Sequence, residues 1–273
     1  MIDTIKTKSE VLGESIDLKV ILPNDKPIRT LMILLHGNMN LESSMQLLEK
    51  FSLELNLEEL CEKYYMAVVT PLMKNRYYIS TADYDCEEYI ARELPVYMKK
   101  KYNISDSVEL ILAGVSMGGF GAALIAARTG VFQKIVSISG AYIANDVAIG
   151  NPEVWGNLNP RCKELEKSFL YYFLPLEDLE NSARRNALAA LSLFKERGEA
   201  PVFVITCGTE DWLYSRNIQF IEELCRQDIN YCFFSLEDGS HESDCFAKGL
   251  WAAIEYLSNC KCASDIEREN MCR

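Results

Sequence analysis

The chain holds two histidines, His36 and His241, so any chemistry that needs an imidazole must use one of them. A serine that could use such a base sits in Gly114-Val115-Ser116-Met117-Gly118-Gly119-Phe120-Gly121. The apolar run Val108 to Ala113 leads into it and the helix-favouring run Ala122 to Arg128 leads out. That order reads as strand, sharp turn, helix. A serine in such a turn is lifted clear of the sheet on a strained backbone. Gly114 and Gly118 stand two residues to either side, where a Cβ would collide with the neighbouring strand or helix. The helix after the turn points unpaired N–H groups and a partial positive charge at the serine.

A serine hydroxyl is a poor nucleophile near neutral pH until a base takes its proton and an acid fixes the tautomer of that base. His36 ends an early apolar run in His36-Gly37-Asn38, where it reads as a residue that orders a loop. His241 follows the last apolar run in a Gly239-Ser240-His241 turn and is the expected base. The acid is expected between serine and base in chain order. Asp211, just past the run Pro201 to Thr206, is favoured. Glu210 is its neighbour and competitor, while Asp238 and Asp244 stand close to His241 in the chain. An oxyanion needs two preorganised donors. The Met117 N–H is the first, and the Asn38 N–H is the choice for the second, with Gly37 and Met39 as alternatives. Tyr142, Trp155, Trp212 and Leu213 are candidates for substrate contact, as is the Tyr77-Tyr78 loop.

The elements that must carry these residues are short apolar runs alternating with helical patterns. Ile16 to Leu22 and the residues before it read as an antiparallel edge hairpin. Thr30 to Leu35, Met66 to Pro71, Val108 to Ala113, Lys134 to Ser139, Pro201 to Thr206 and Tyr231 to Leu236 read as strands, several of them apolar on both faces. Helical spacing covers Ser43 to Phe51, Leu57 to Tyr64, Asp85 to Tyr102, Ala187 to Phe194, Ile218 to Arg226 and Lys248 to Leu257. In the helix over 85–102, Tyr89, Leu94, Val96 and Tyr97 are expected to face inward. The rhythm is that of an α/β fold with a mostly parallel central sheet and helices on both faces. Residues 143–185 break it and read as a cap or irregular insertion in a single domain spanning 1–273. The tail beyond Asn259 reads as polar and frayed.

With 273 residues, 49% hydrophobic and 25% charged, one domain can bury a large core. The formal net charge of −12 argues against nucleic-acid partners and fits an acidic, solvated surface. A homo-oligomer is compatible with that surface. No apolar run approaches the roughly 18 residues of a membrane span. The opening Met1 to Lys6 lacks the apolar segment of an export signal, so a cytoplasmic location is expected. The ten cysteines are read as reduced thiols. Cys260-Lys261-Cys262 with Cys272 matches no zinc spacing, so neither a metal nor an organic cofactor is expected.

Five segments together resemble the esterase D/tributyrin esterase group of α/β-hydrolases. They are Leu34-Leu35-His36-Gly37, the extended turn Gly114 to Ala122, Ser139-Gly140-Ala141-Tyr142, Cys207-Gly208-Thr209-Glu210-Asp211 and Gly239-Ser240-His241. The resemblance runs from about residue 15 to 257, in the family's order. The group includes S-formylglutathione hydrolases, feruloyl and acetyl-type esterases, and mycolyltransferase relatives. It implies an α/β-hydrolase fold, with Ser116, Asp211 and His241 as nucleophile, acid and base. Two departures stand out. Ser243 and Phe246 occupy positions where the family often carries tryptophans, and Asn38-Met39-Asn40 replaces a glycine-rich loop. The expected function is a serine carboxylesterase acting on a small-molecule ester with a short acyl or cinnamoyl-type group. The alternatives are S-formylglutathione hydrolysis, acyl transfer to an alcohol, and a binding protein on a hydrolase scaffold.

Overall fold

The structure is a computed structural model, which describes residues 1–24, 27–38, 45–151 and 171–259. Eight strands form one sheet in the order β1-β2-β4-β3-β5-β6-β7-β8. They are β1 (Ile2–Lys8), β2 (Ser15–Ile21), β3 (Thr30–Leu35), β4 (Met66–Pro71), β5 (Glu109–Val115), β6 (Lys134–Ile138), β7 (Val202–Gly208) and β8 (Asn230–Leu236). β1 and β2 pair antiparallel, and β2 joins β4 antiparallel. From β4 across to β8 every pairing is parallel.

The continuous apolar runs have a simple cause: both faces of the sheet are covered. In β3, Leu31, Ile33 and Leu35 enter one core layer. Met32 and Leu34, pointing the other way, enter the second. The second layer is closed by α1 (Met45–Glu54), α2 (Leu57–Tyr64) and α9 (Ser243–Asn259). The first is closed by the helical stretch α3, by α4 (Met117–Thr129), by α6 (Ala187–Ala190) with α7 (Ser192–Arg197), and by α8 (Tyr214–Arg226). α3 is built from Cys86–Glu88, a π-type stretch Tyr89–Glu93 and Leu94–Tyr102. Each fully buried Leu, Ile or Val adds about 1.5–3 kcal/mol of transfer free energy, so two filled layers are what holds the sheet between its helices.

Several expectations change. Val96, expected inward, has a side chain that is 65% exposed. The π-type stretch adds a residue to one turn and rotates the remainder of the helix, so that Pro95 and Met98 join the expected Leu94 in the buried face in place of Val96. The single helix expected over 187–194 is two short ones, α6 and α7. The helix expected from Ile218 begins four residues earlier, at Tyr214. Of the cap expected at 143–185, residues 152–170 lie outside the described residues, as does the tail beyond Asn259. Its first turn, α5 (Ala144–Ala148), is tied down by a bidentate ion pair from Arg216 of α8 to Asp146, at 3.2 and 3.3 Å. No helix among the described residues is long and apolar enough to cross a membrane.

Candidate active site

The residues expected to do chemistry come from four strand exits, those of β3, β5, β7 and β8. In a parallel sheet, chain segments leaving the carboxyl ends of neighbouring strands share one edge. β5, β6, β7 and β8 are neighbours, and their exits carry Ser116, Gly140, Asp211 and His241.

Ser116 stands between β5 and α4 with φ 54° and ψ −114°. A non-glycine residue held there costs on the order of 1–3 kcal/mol and persists only where its surroundings fix it. They do so through the backbone. The Ser116 N–H donates to Ile138 C=O at 2.9 Å, and its C=O accepts from Ala141 N–H at 2.9 Å and Phe120 N–H at 3.2 Å. The flanking glycines are required by contact. A Cβ on Gly114 would lie 2.1 Å from the Gly118 carbonyl oxygen, and one on Gly118 would lie 2.1 Å from that of Leu35. Only chain without side chains lets helix, turn and β3 approach this closely.

The base and acid turns are locked to each other. Glu210 N–H donates to Gly239 C=O at 2.9 Å, and Thr209 N–H to Leu236 C=O at 3.0 Å. Asp238 N–H donates to Thr209 Oγ1 at 3.0 Å. This places His241 Nε2 3.1 Å from Ser116 Oγ and His241 Nδ1 2.8 Å from Asp211 Oδ2. The second carboxylate oxygen, Oδ1, accepts from Leu213 N–H at 2.8 Å. Asp211 is 5% exposed, whereas Glu210, Asp238 and Asp244 are exposed. An acceptor on Nδ1 puts the ring proton there and leaves the Nε2 lone pair facing the serine hydroxyl. Serine to imidazole to carboxylate is the arrangement that takes a hydroxyl proton and stabilises the imidazolium that results. The imidazole lies edge-on between two rings, Trp212 at 5.8 Å and Phe246 at 5.0 Å between centroids.

Met117 opens α4, where its N–H has no acceptor within the helix. Gly37 lies against Ser116, since a Cβ there would be 3.4 Å from Ser116 Cβ. Asn38 follows it and is exposed. Both expected oxyanion donors therefore belong to segments beside Ser116, while Met39 lies outside the described residues.

His36 is wholly buried and has a different task. Its Nε2 accepts from Met73 N–H at 3.1 Å, so Nδ1 carries the proton and donates to Gly37 C=O at 2.6 Å. Tyr78 Oη donates to the His36 carbonyl at 3.0 Å. Burial lowers its pKa from 6.5 to about 4, against a smaller upward effect of the Gly37 hydrogen bond. It is a neutral brace at the root of the loop that carries Asn38.

The residues expected to contact substrate divide. Trp212 is half-buried beside His241. Tyr142 and Leu213 are instead in the core, at 3% and 0% exposure. The Tyr142 ring stacks on Phe220 at 3.8 Å and 3°, its hydroxyl donates to Ser137 Oγ at 2.7 Å, and burial pushes that phenol well up. Tyr77 and Tyr78 are likewise buried, Tyr77 edge-on to Phe120 and Phe173. Trp155 lies outside the described residues. Sequence reasoning marks Phe246 only as a departure from a family tryptophan, and gives no role to Asn217. The position of Phe246, five residues after His241, is the available signal for the first. Among the described residues no cluster of His, Cys, Asp and Glu has the makings of a metal site.

Comparison with known proteins places the chain among ester hydrolases. The esterase family model ("Putative esterase") matches residues 9–228, a stretch that includes Ser116 and Asp211 and ends before His241. An acetyl esterase of Caldicellulosiruptor saccharolyticus is 27% identical over 213 residues, 73% of this chain and 74% of that protein. Among solved structures, an S-formylglutathione hydrolase from Staphylococcus aureus superposes with a TM-score of 0.76 at 24% identity, covering 95% of this chain and 99% of the other. A ferulic acid esterase superposes with a TM-score of 0.65 at 21% identity, covering 94% and 97%.

Proposed function

The chain belongs to this esterase family, and on that premise we propose that it hydrolyses small esters of short acyl groups through an acyl-enzyme on Ser116. His241 Nε2 takes the hydroxyl proton as Oγ bonds to the carbonyl carbon, and the carbonyl electrons move onto oxygen. The Met117 and Asn38 N–H groups hold that oxyanion. As the carbonyl re-forms, the C–O bond to the alcohol breaks and His241 gives the alcohol its proton. Water then attacks the acyl carbon, losing its proton to His241. The acid leaves as Ser116 Oγ recovers that proton. Asp211 keeps the ring in the required tautomer throughout.

The observation that carries this is the unbroken run of contacts, 3.1 Å from Oγ to Nε2 and 2.8 Å from Nδ1 to the carboxylate. The acetyl esterase relative favours a short acyl group. Hydrolysis of an S-formyl thioester is the second reading, favoured by the overall likeness to the staphylococcal S-formylglutathione hydrolase. The same nucleophile would serve, with a thiol as leaving group. The free thiols of Cys61, Cys86, Cys207 and Cys245 support a reducing compartment, hence the cytoplasm.

The test is hydrolysis of p-nitrophenyl acetate, butyrate and octanoate, methyl ferulate and S-formylglutathione by wild type and Ser116→Ala. The acetate is expected to be turned over faster than the octanoate, with Ser116→Ala at least about 10³-fold slower. Equal rates for the two proteins would remove Ser116 from the mechanism. Preference for S-formylglutathione would select the second reading.

A further inference from the structure

Asn217, on the inner face of α8, is wholly buried. Its Oδ1 accepts from Gly140 N–H at 3.1 Å. Its Nδ2 donates to Gly140 C=O at 3.0 Å and to Leu213 C=O at 2.9 Å. Both amide donors and the acceptor are therefore spent on backbone. The three groups they serve belong to two segments that leave different strands. The β6–β7 ladder ends at Ile138 opposite Thr206, with a last bond from Ser139 N–H to Thr206 C=O at 2.7 Å. Past that point the sheet no longer sets the distance between the segments, and the Asn217 side chain takes over.

Each segment touches the chemistry at its next step. Ala141, after Gly140, donates its N–H to Ser116 C=O, and Gly140 itself packs on Gly119 closely enough that a Cβ on Gly119 would be 2.9 Å from Gly140 Cα. Leu213, at the other end, donates its N–H to the Asp211 oxygen that His241 does not use. Phe220, from the same helix, clamps Tyr142 just beyond. From Asp211 through Leu213, Asn217, Gly140 and Ala141 to Ser116, each link is a hydrogen bond or a peptide unit. We infer that Asn217 is a positioning residue that sets the Asp211 turn relative to the Ser116 turn, and through both the gap His241 must span. It touches no reacting atom. The inference rests on the Ser116–His241–Asp211 reading.

The experiment compares wild type, Asn217→Leu, Asn186→Ala and Ser116→Ala on p-nitrophenyl acetate, with rates of the first three referred to active sites titrated by a fluorophosphonate and that of Ser116→Ala to protein concentration. Asn186 is the matched control. It is an equally buried amide, donating to Asn145 Oδ1 and the carbonyls of Leu179 and Glu180, and it bonds neither catalytic segment. A displacement of about 1 Å can cost about 10²-fold, so Asn217→Leu is expected to lose roughly 10- to 100-fold in kcat per active site while KM stays within about twofold. Asn186→Ala is expected to lose stability and keep its rate per site. If Asn217→Leu does not fold, Asn217→Ser, smaller and still polar, takes its place with the same expectation. A rate per site within about threefold of wild type, or an equal loss in Asn186→Ala, would overturn the positioning role. Retained activity in Ser116→Ala would instead overturn the triad beneath it.

Discussion

His36 should make the protein sensitive to acid at the root of the loop beside Ser116. In the folded chain its Nε2 is filled by the Met73 N–H, and protonation would set one N–H against another. Burial holds the folded pKa at about 4 against 6.5 for a free imidazole, opposed by a smaller upward effect of the Gly37 hydrogen bond. Because the folded value is the lower one, the unfolded chain binds the proton more tightly throughout the window between them. The contribution of His36 is therefore fully present above 6.5 and is lost as pH falls toward 4. At about 1.4 kcal/mol per unit, the whole separation is worth about 3 kcal/mol, of which about 2 kcal/mol is gone near pH 5. That is a sizeable part of the 5–15 kcal/mol typical of a domain, on the order of which this one should fall. The assay is urea unfolding of wild type and His36→Gln at a series of pH values from about 7.5 to 5. Glutamine does not titrate and can still accept from Met73. Every carboxylate, and His241, acts equally in both proteins, so the difference between them isolates His36. Wild type should be the more stable at the upper end, and its advantage should shrink by about 2 kcal/mol at the lower. An advantage independent of pH would refute the argument, because a histidine with an ordinary pKa in the fold contributes no such slope.

The site yields two further expected outcomes. Asp211→Asn should keep the fold yet lower kcat by about 10⁴-fold, since an amide no longer fixes the ring proton on Nδ1. Stopped-flow hydrolysis of p-nitrophenyl acetate measures this, and a loss under tenfold would move the acid elsewhere. Gly118→Ala places a methyl 2.1 Å from the Leu35 carbonyl oxygen, which belongs to a central strand and cannot yield. It should cost about 3 kcal/mol or more, read as a fall in the urea midpoint, and an unchanged midpoint would mean that the turn is more loosely packed than these contacts require.

Much of this architecture is legible in the sequence because burial on both faces leaves a plain trace. The runs Thr30 to Leu35 and Met66 to Pro71 are the strands β3 and β4 to the residue. The order of Ser116, Asp211 and His241 is legible for a related reason: parallel strands bring their exits to one edge, so position in the chain stands in for position in space. Side-chain direction leaves a weaker trace. Tyr142 and Leu213 follow strand exits as a pocket wall would, yet both turn inward, and only the docking of α8 decides that. Val96 faces outward because one widened turn upstream shifts the frame, and no single residue in Tyr89–Glu93 announces such a turn.

Asn217 is hidden by a boundary. A helix begun at Ile218 leaves it in a loop, where an asparagine asks for no explanation. Begun at Tyr214, the same helix puts Asn217 on the stripe of Phe220, Ile221 and Leu224, three, four and seven residues on, all of them buried. A polar side chain on an apolar stripe must find partners or destabilise the core. The partners within reach of that face are the backbone groups of Gly140 and Leu213, on two segments that have just left the sheet. The misplaced residue in the pattern is thus itself the signal: where an amide interrupts the buried face of a helix packed beneath strand exits, the exits are where its hydrogen bonds should be sought.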